Sequence, residues 1–309
     1  MNQGLMRCSH RLAVVAITVL SGSVALAAPK DKPKTPPKGK APSACGVKVI
    51  PLVVGNEWTY EPTAAPVAVD ESIKRFVPPE PTKIVIKVAS IDAPAKAGGD
   101  TTVNLEETTT YDITRKDDKE RKYSDRKMKT TIVCNQNKKF EISPDSFFFA
   151  GEPGGAWDLT FDKIERTKGT FTLVNGGIGE APWAEDIVAH FTRTARPNAP
   201  AKLLAGKLEL ERRFTPGRPS EMNVKIGGPY HAETVQLKIT GRVTLEGGTE
   251  VLPPDWTSND KTCSVTPAGF KCELPANWVT LFWMTNDVGY VRTQNTYAHV
   301  YDLADAKLQ

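Results

Sequence analysis

Few residues of this 309-residue chain have the type and spacing that catalysis needs. Beyond the first segment, histidine occurs only at His190, His231 and His299, each isolated from the others and from any HExxH zinc-binding pattern. No GxSxG nucleophile elbow and no phosphate-cradling Gly-rich loop occurs either, so acyl and phosphoryl transfer have no visible centre. Carboxylate pairs for glycoside hydrolysis meet only in a fold; Glu106 with Glu107, or Asp255 with Asp260, are nominees with no advantage over many others. The oxygen-rich run Asp255 to Asp260 lacks the spacing of a calcium loop and reads as a turn. Six tryptophans remain, of which Trp256, Trp278 and Trp283 are candidates for stacking against a sugar, although most tryptophans are packed anchors. No catalytic, cofactor-binding or metal-binding residue is assigned.

Four cysteines follow the first segment: Cys45, Cys134, Cys263 and Cys272. An even number in an exported chain reads as disulfides, and the absence of CxxC or a nearby histidine argues against redox or metal chemistry. Cys263 to Cys272 brackets a hairpin. With Pro267-Ala268 as a two-residue loop, Cys263 faces Cys272 at a non-hydrogen-bonded position, about 4.5 Å between Cα atoms, within disulfide reach. A type I turn with a glycine bulge at Gly269 would instead set Cys272 opposite Ser264, so both registers stay open. The first pairing leaves Cys45 to join Cys134.

The elements that must position these residues are strands. Runs rich in Val, Ile, Thr and aromatics alternate with polar residues, most clearly over Lys83 to Val88, Lys207 to Phe214 and Val235 to Leu245. They predict an all-β, mainly antiparallel fold: a large sandwich, an open barrel or a curved sheet with few short helices. Ala181 to Ala189 and Leu303 to Leu308 are the helix candidates. The mixed-sign stretch Arg115 to Lys127 reads as a solvated hairpin tip.

Residues 1–27 read as a secretory signal peptide: Arg7 and Arg11, an apolar run from Leu12 to Leu20, then Ala25-Leu26-Ala27 before a cut at Ala28. The apolar run falls short of the roughly 20 residues that span a bilayer, and no later segment approaches that length, so no transmembrane segment is expected in the mature chain. Residues 28–44 alternate Lys with Pro and read as an extended leash. Residues 45–309 form the β-rich part, with a subdomain boundary, if any, near 196–200, where Arg196-Pro197-Asn198-Ala199-Pro200 interrupts the strands. Of 40 Lys and Arg, two lie in the signal and five in the leash, leaving 33 against 35 acids once Asp31 is set aside. A nearly neutral body gives no support to a nucleic-acid surface.

Three segments look like a group of largely uncharacterised bacterial exported proteins and lipoproteins. Pro51-Leu52-Val53-Val54-Gly55-Asn56-Glu57-Trp58-Thr59-Tyr60 resembles the opening PLxxGNxWxY motif of that group. Thr266-Pro267-Ala268-Gly269-Phe270-Lys271-Cys272 is similar to its PAGTFxC hairpin without the Thr, and Trp283 with Val288-Gly289-Tyr290-Val291-Arg292 resembles its late WxxxxVGxV strands. The resemblance covers about 25 residues at the two ends and implies one β module containing both, with 62–254 as extra strands or an inserted subdomain. It transfers no catalytic residue.

The expected function is therefore that of an exported, non-catalytic β protein, periplasmic or extracellular in a bacterium, binding a ligand or partner at the cell envelope. A lipid or hydrophobic cargo follows by analogy with curved-sheet lipoprotein carriers, and an envelope protein is a further partner class. The alternatives are a carbohydrate-binding module and a secreted hydrolase that gathers His231 or His299 beside acids.

Overall fold

The computed structural model describes residues 41–63, 80–134, 139–142, 146, 157–169, 171–172, 183–195, 203–249, 263–295 and 299–309. The segment read as a signal peptide, most of the segment read as a leash, the 196–200 segment and the 255–260 run lie outside the described residues.

Fifteen strands are present among the described residues, in chain order β1 (Glu57–Pro62), β2 (Lys83–Asp92), β3 (Thr101–Asp112), β4 (Tyr123–Cys134), β5 (Lys139–Ile142), β6 (Trp157–Gly169), β7 (Phe171–Thr172), β8 (Trp183–Ala195), β9 (Leu203–Pro216), β10 (Ser220–Val224), β11 (Gly227–Gly247), β12 (Cys263–Thr266), β13 (Gly269–Thr285), β14 (Gly289–Gln294) and β15 (Val300–Lys307). All pairings are antiparallel, in the order β6-β8-β9-β11-β13-β14-β15-β1-β2-β3-β4-β5-β7, with β10 on β11 and β12 on β13. The path is open. Its two ends, β6 and β7, are nevertheless separated by one residue of chain, so they lie within about 7 Å of each other. The sheet therefore curves back on itself without closing.

Alternation builds the inner face. In β2, Ile84, Ile86 and Val88 are buried while Lys83 and Lys87 are exposed. Trp58, Tyr60, Phe214, Phe282, Tyr290 and Tyr301 are all completely buried in one core, with the Phe282 and Tyr290 rings stacked at 4.7 Å. A second, smaller cluster of Phe191, Leu245, Phe270 and Cys272 lies further along the long strands. The three clearest alternating runs fall inside β2, β9 and β11. The charged Arg115 to Lys127 stretch is a turn, 113–122, followed by the first residues of β4.

Both helix candidates are corrected by the structure. From Trp183 onward the first is strand β8, and most of the second is strand β15. Among the described residues helical geometry is confined to a three-residue 3-10 turn, Ala44–Gly46, and a 3-10 position at Thr249. Ala and Glu favour helices by a few tenths of a kcal/mol per residue. In β8 that preference is outweighed by period-two burial of Glu185, Ile187, Ala189 and Phe191 and by ladders to strands on both sides. β15 is likewise clasped between β14 and β1. No described helix is long and apolar enough to cross a membrane.

The chain ends meet at β1. Trp58 donates its indole N–H to the Val288 carbonyl at 2.5 Å. A Cβ at Gly289, where φ is +102°, would sit 3.2 Å from that indole nitrogen, so glycine serves both the turn and the close approach. Buried Asn56 accepts a hydrogen bond from the Gln309 amide and donates to the Pro51 carbonyl. These contacts join residues that resemble the opening and late motifs. Before β1, Ser43 and Ala44 already hydrogen-bond Leu52, so ordered packing begins within the leash's last residues.

Candidate functional site

The structure forms two disulfides. Cys45–Cys134 ties the segment before β1 to the end of β4, with Cα atoms 6.0 Å apart. Cys263–Cys272 closes the β12–β13 hairpin at a Cα separation of 4.0 Å. The hairpin register is Thr266↔Gly269, Val265↔Phe270 and Cys263↔Cys272, which selects the two-residue Pro267-Ala268 loop over the glycine bulge. Cys134 and Cys272 are buried against apolar neighbours, where the bridges act as staples.

Of the three aromatic candidates, only Trp283 has a described side chain. Trp256 lies outside the described residues. Trp278 is in β13 opposite Ile239, with its side chain outside the description, and Trp283 pairs with Thr234 and Arg292. Trp283 is partly buried against the core.

Glu106 and Glu107, adjacent on β3, face opposite sides of the sheet. Glu106 is exposed, whereas Glu107 points inward, 2% exposed, and accepts hydrogen bonds from the Thr130 and Ser146 hydroxyls, both at 2.7 Å. Asp255 and Asp260 lie outside the described residues. His190 and His231 are exposed, and His299 is buried.

The inner face also carries charges that inspection of motifs does not reveal. Arg212 on β9 and Glu185 on β8 are directly paired strand neighbours with fully buried side chains. Arg212 donates from Nε to Glu185 Oε1 at 2.6 Å and also from Nη2 to the same oxygen. Burial lowers the Arg212 pKa, and the Glu185 charge works in the opposite direction. Arg166 on β6 reaches Glu185 at 3.4 Å and Glu141 on β5 at 2.9 Å, bridging the two ends of the open sheet. A sequence signal existed: Arg212 shares its alternation with Leu208, Leu210 and Phe214, as Glu185 does with Ile187 and Ala189. A charge in phase with apolar residues must be buried and paired.

A cleft of about 510 Å³ opens on the opposite, outer face of β6, β8, β9, β11 and β13. His190, Lys207, Glu209, Thr244, Glu246 and Glu273 line it. Lys207 pairs with Glu209 at 2.8 Å and holds that carboxyl below its usual range; Arg242 reaches Glu273 at 3.4 Å. Two glycines accompany this region. The Phe191 ring occupies the space where a Gly206 side chain would stand. At Gly241, φ +149°, a Cβ would lie 2.0 Å from the Glu209 carbonyl oxygen, so the β9 and β11 backbones meet only because that side chain is missing. The cleft can offer hydrogen bonds and charges of both signs. Among the described residues it brings together no metal-binding group of three His, Cys, Asp or Glu side chains.

No family model matches the chain, and no curated protein matches it. Two solved structures are similar. One is a Bacteroides fragilis protein named as a candidate exported protein with YmcC-like fold, at 11% identity and TM-score 0.44, covering 84% of this chain and 99% of its own. The other is a candidate lipoprotein from Parabacteroides distasonis, at 10% identity and TM-score 0.47, with the same coverage of both chains. No functional residue is carried over from either.

Proposed function

We propose that this chain is an exported, non-catalytic binding protein of the bacterial envelope, and that it takes a polar ligand in the outer cleft. Export is supported by the signal-like first 27 residues together with two disulfides, which persist in oxidising compartments. One contrast carries the choice of ligand class. The inner face is filled by its own aromatic side chains, while the open cleft is lined by ionisable and hydroxyl groups. A polar ligand such as an envelope glycan fits that lining better than a lipid, whose burial would require apolar walls.

The test pairs a bacterial glycan array with native mass spectrometry of the exported chain. A glycan hit whose affinity falls about fivefold or more in Lys207→Ala/Glu246→Ala, on the scale of one hydrogen bond, supports the cleft. A lipid that co-purifies and survives into the gas phase, with no glycan hit, replaces this reading with hydrophobic cargo. Turnover of a bound glycan replaces it with a hydrolase.

A further inference from the structure

The outer cleft holds more carboxylate than it neutralises. Its lining includes four acids, Asp162, Glu209, Glu246 and Glu273, against the lysines Lys207 and Lys271, with Arg242 beside Glu209 at its edge. Each of these cations is already taken. Lys207 lies 2.8 Å from Glu209, Lys271 lies 3.7 Å from Glu273, and Arg242 lies 3.4 Å from the same Glu273. Lys163 on β6 pairs with its own strand neighbour Glu165, and His190 stands in register between Lys163 and Lys207, two strands away from Glu246. Asp162 and Glu246 are left without a cation among the described residues.

Local structure turns both carboxylates outward. The register of β6 shifts between Phe161, opposite Phe191, and Lys163, opposite His190. Asp162 is the extra residue of this bulge, so Asp162 and Lys163 are both exposed where strict alternation would have sent Lys163 inward. Asp162 accepts a hydrogen bond from the Thr192 hydroxyl at 3.3 Å. Glu246 is exposed on β11, directly between Ala205 on β9 and Lys271 on β13. Ala205 has no polar side chain to offer it, and the Lys271 ammonium sits by Glu273 instead. Thr192 stands opposite Ala205, so short side chains separate the two carboxylates. From β6 to β11 is three strand spacings, about 14 Å, too far for one metal ion to bridge and suited to charges spread along an extended ligand.

We infer that the cleft selects a cationic saccharide, an oligosaccharide carrying free amino groups, with one ammonium on Glu246 beside Ala205 and another on Asp162. The inference rests on the cleft as the ligand site and adds the sign of the ligand's charge. The amine supplies the cation that Glu246 lacks, and the Thr192 and Thr244 hydroxyls in the lining are available to sugar hydroxyls. An N-acetylated sugar of the same backbone leaves both carboxylates unanswered. An acidic saccharide meets two like charges that nothing offsets.

The experiment is isothermal titration calorimetry of the full exported chain with glucosamine oligomers and with fully N-acetylated oligomers of the same linkage and length, near neutral pH and at low salt. Wild type should bind the amine form about fivefold more tightly, on the scale of exposed charge pairs, and the advantage should shrink as salt is raised. Glu246→Gln should remove most of that advantage and leave affinity for the N-acetylated form unchanged; Asp162→Asn should remove the remainder. Glu106→Gln, on the exposed side of β3, should change neither affinity, which separates a local effect from a response to net charge. Equal affinity for the two forms, preference for the N-acetylated one, binding of neither, or a Glu246→Gln chain that keeps the wild-type preference overturns the inference. The cleft reading fails on a different result, a neutral glycan whose affinity is untouched in Lys207→Ala/Glu246→Ala.

Discussion

Arg212 and Glu185 illustrate how a single buried pair can dominate its surroundings. Both side chains are fully buried; Glu185 is stabilised by Arg212 and by Arg166 at 3.4 Å, whereas the like charge of Arg166 disfavours the Arg212 cation. Arg212→Met should therefore destabilise the protein by about 3–5 kcal/mol in urea unfolding, because it removes the closer of the two cations that face buried Glu185. Adding Glu185→Leu should return most of that loss, since an apolar pair of similar volume needs no partner. Tyr60 gives a pH prediction. Its burial raises the phenol pKa well above 10, whereas the unfolded chain titrates near 10. Above about pH 10 the unfolded state thus holds fewer protons than the folded one, and stability falls as pH rises. Tyr60→Phe should flatten the decline in melting temperature between about pH 10 and 11.5 and leave the neutral-pH slope unaltered.

At the scale of elements, β11 sets the shape of the molecule. Its 21 residues pair with β9 and β13 along most of their length and supply both cores, Val235, Leu237 and Ile239 to one and Leu245 to the other. Gly241 stands between these sets, where the β9 backbone comes too close for any side chain. Gly241→Ala should cost about 2–3 kcal/mol or more, through both the positive φ and the contact with Glu209, read as a drop in urea midpoint. Alternation made β2, β9 and β11 legible before any coordinates. The same period was present in Glu185-Asp186-Ile187-Val188-Ala189, but helix-favouring Ala and Glu masked it; ladders on both sides of β8 decide the matter.

For the molecule as a whole, curvature brings the two ends of the sheet together and the two disulfides act at different ranges. Cys45–Cys134 spans 89 residues and Cys263–Cys272 spans 9. Loop-closure entropy then predicts about 4–5 kcal/mol lost in Cys45→Ser/Cys134→Ser and about 2–3 kcal/mol in Cys263→Ser/Cys272→Ser, measured by denaturant titration. Equal losses would mean that the unfolded chain is far from random around the longer bridge.

Local pattern sufficed for strand character and for a charged hairpin tip within Arg115 to Lys127, and it offered Cys263 opposite Cys272 as one of two registers, because each depends on residues a few positions apart. The outer cleft was invisible, since its lining comes from five strands spread over more than a hundred residues and only the sheet's curvature assembles them. The buried charges were half visible: phase with apolar neighbours marks Arg212 and Glu185 as inward, but nothing local says that they pair. Whether a strand's inner face meets its own sheet or a ligand is settled by how far the sheet curves back on itself, a long-range property that no short window of residues contains.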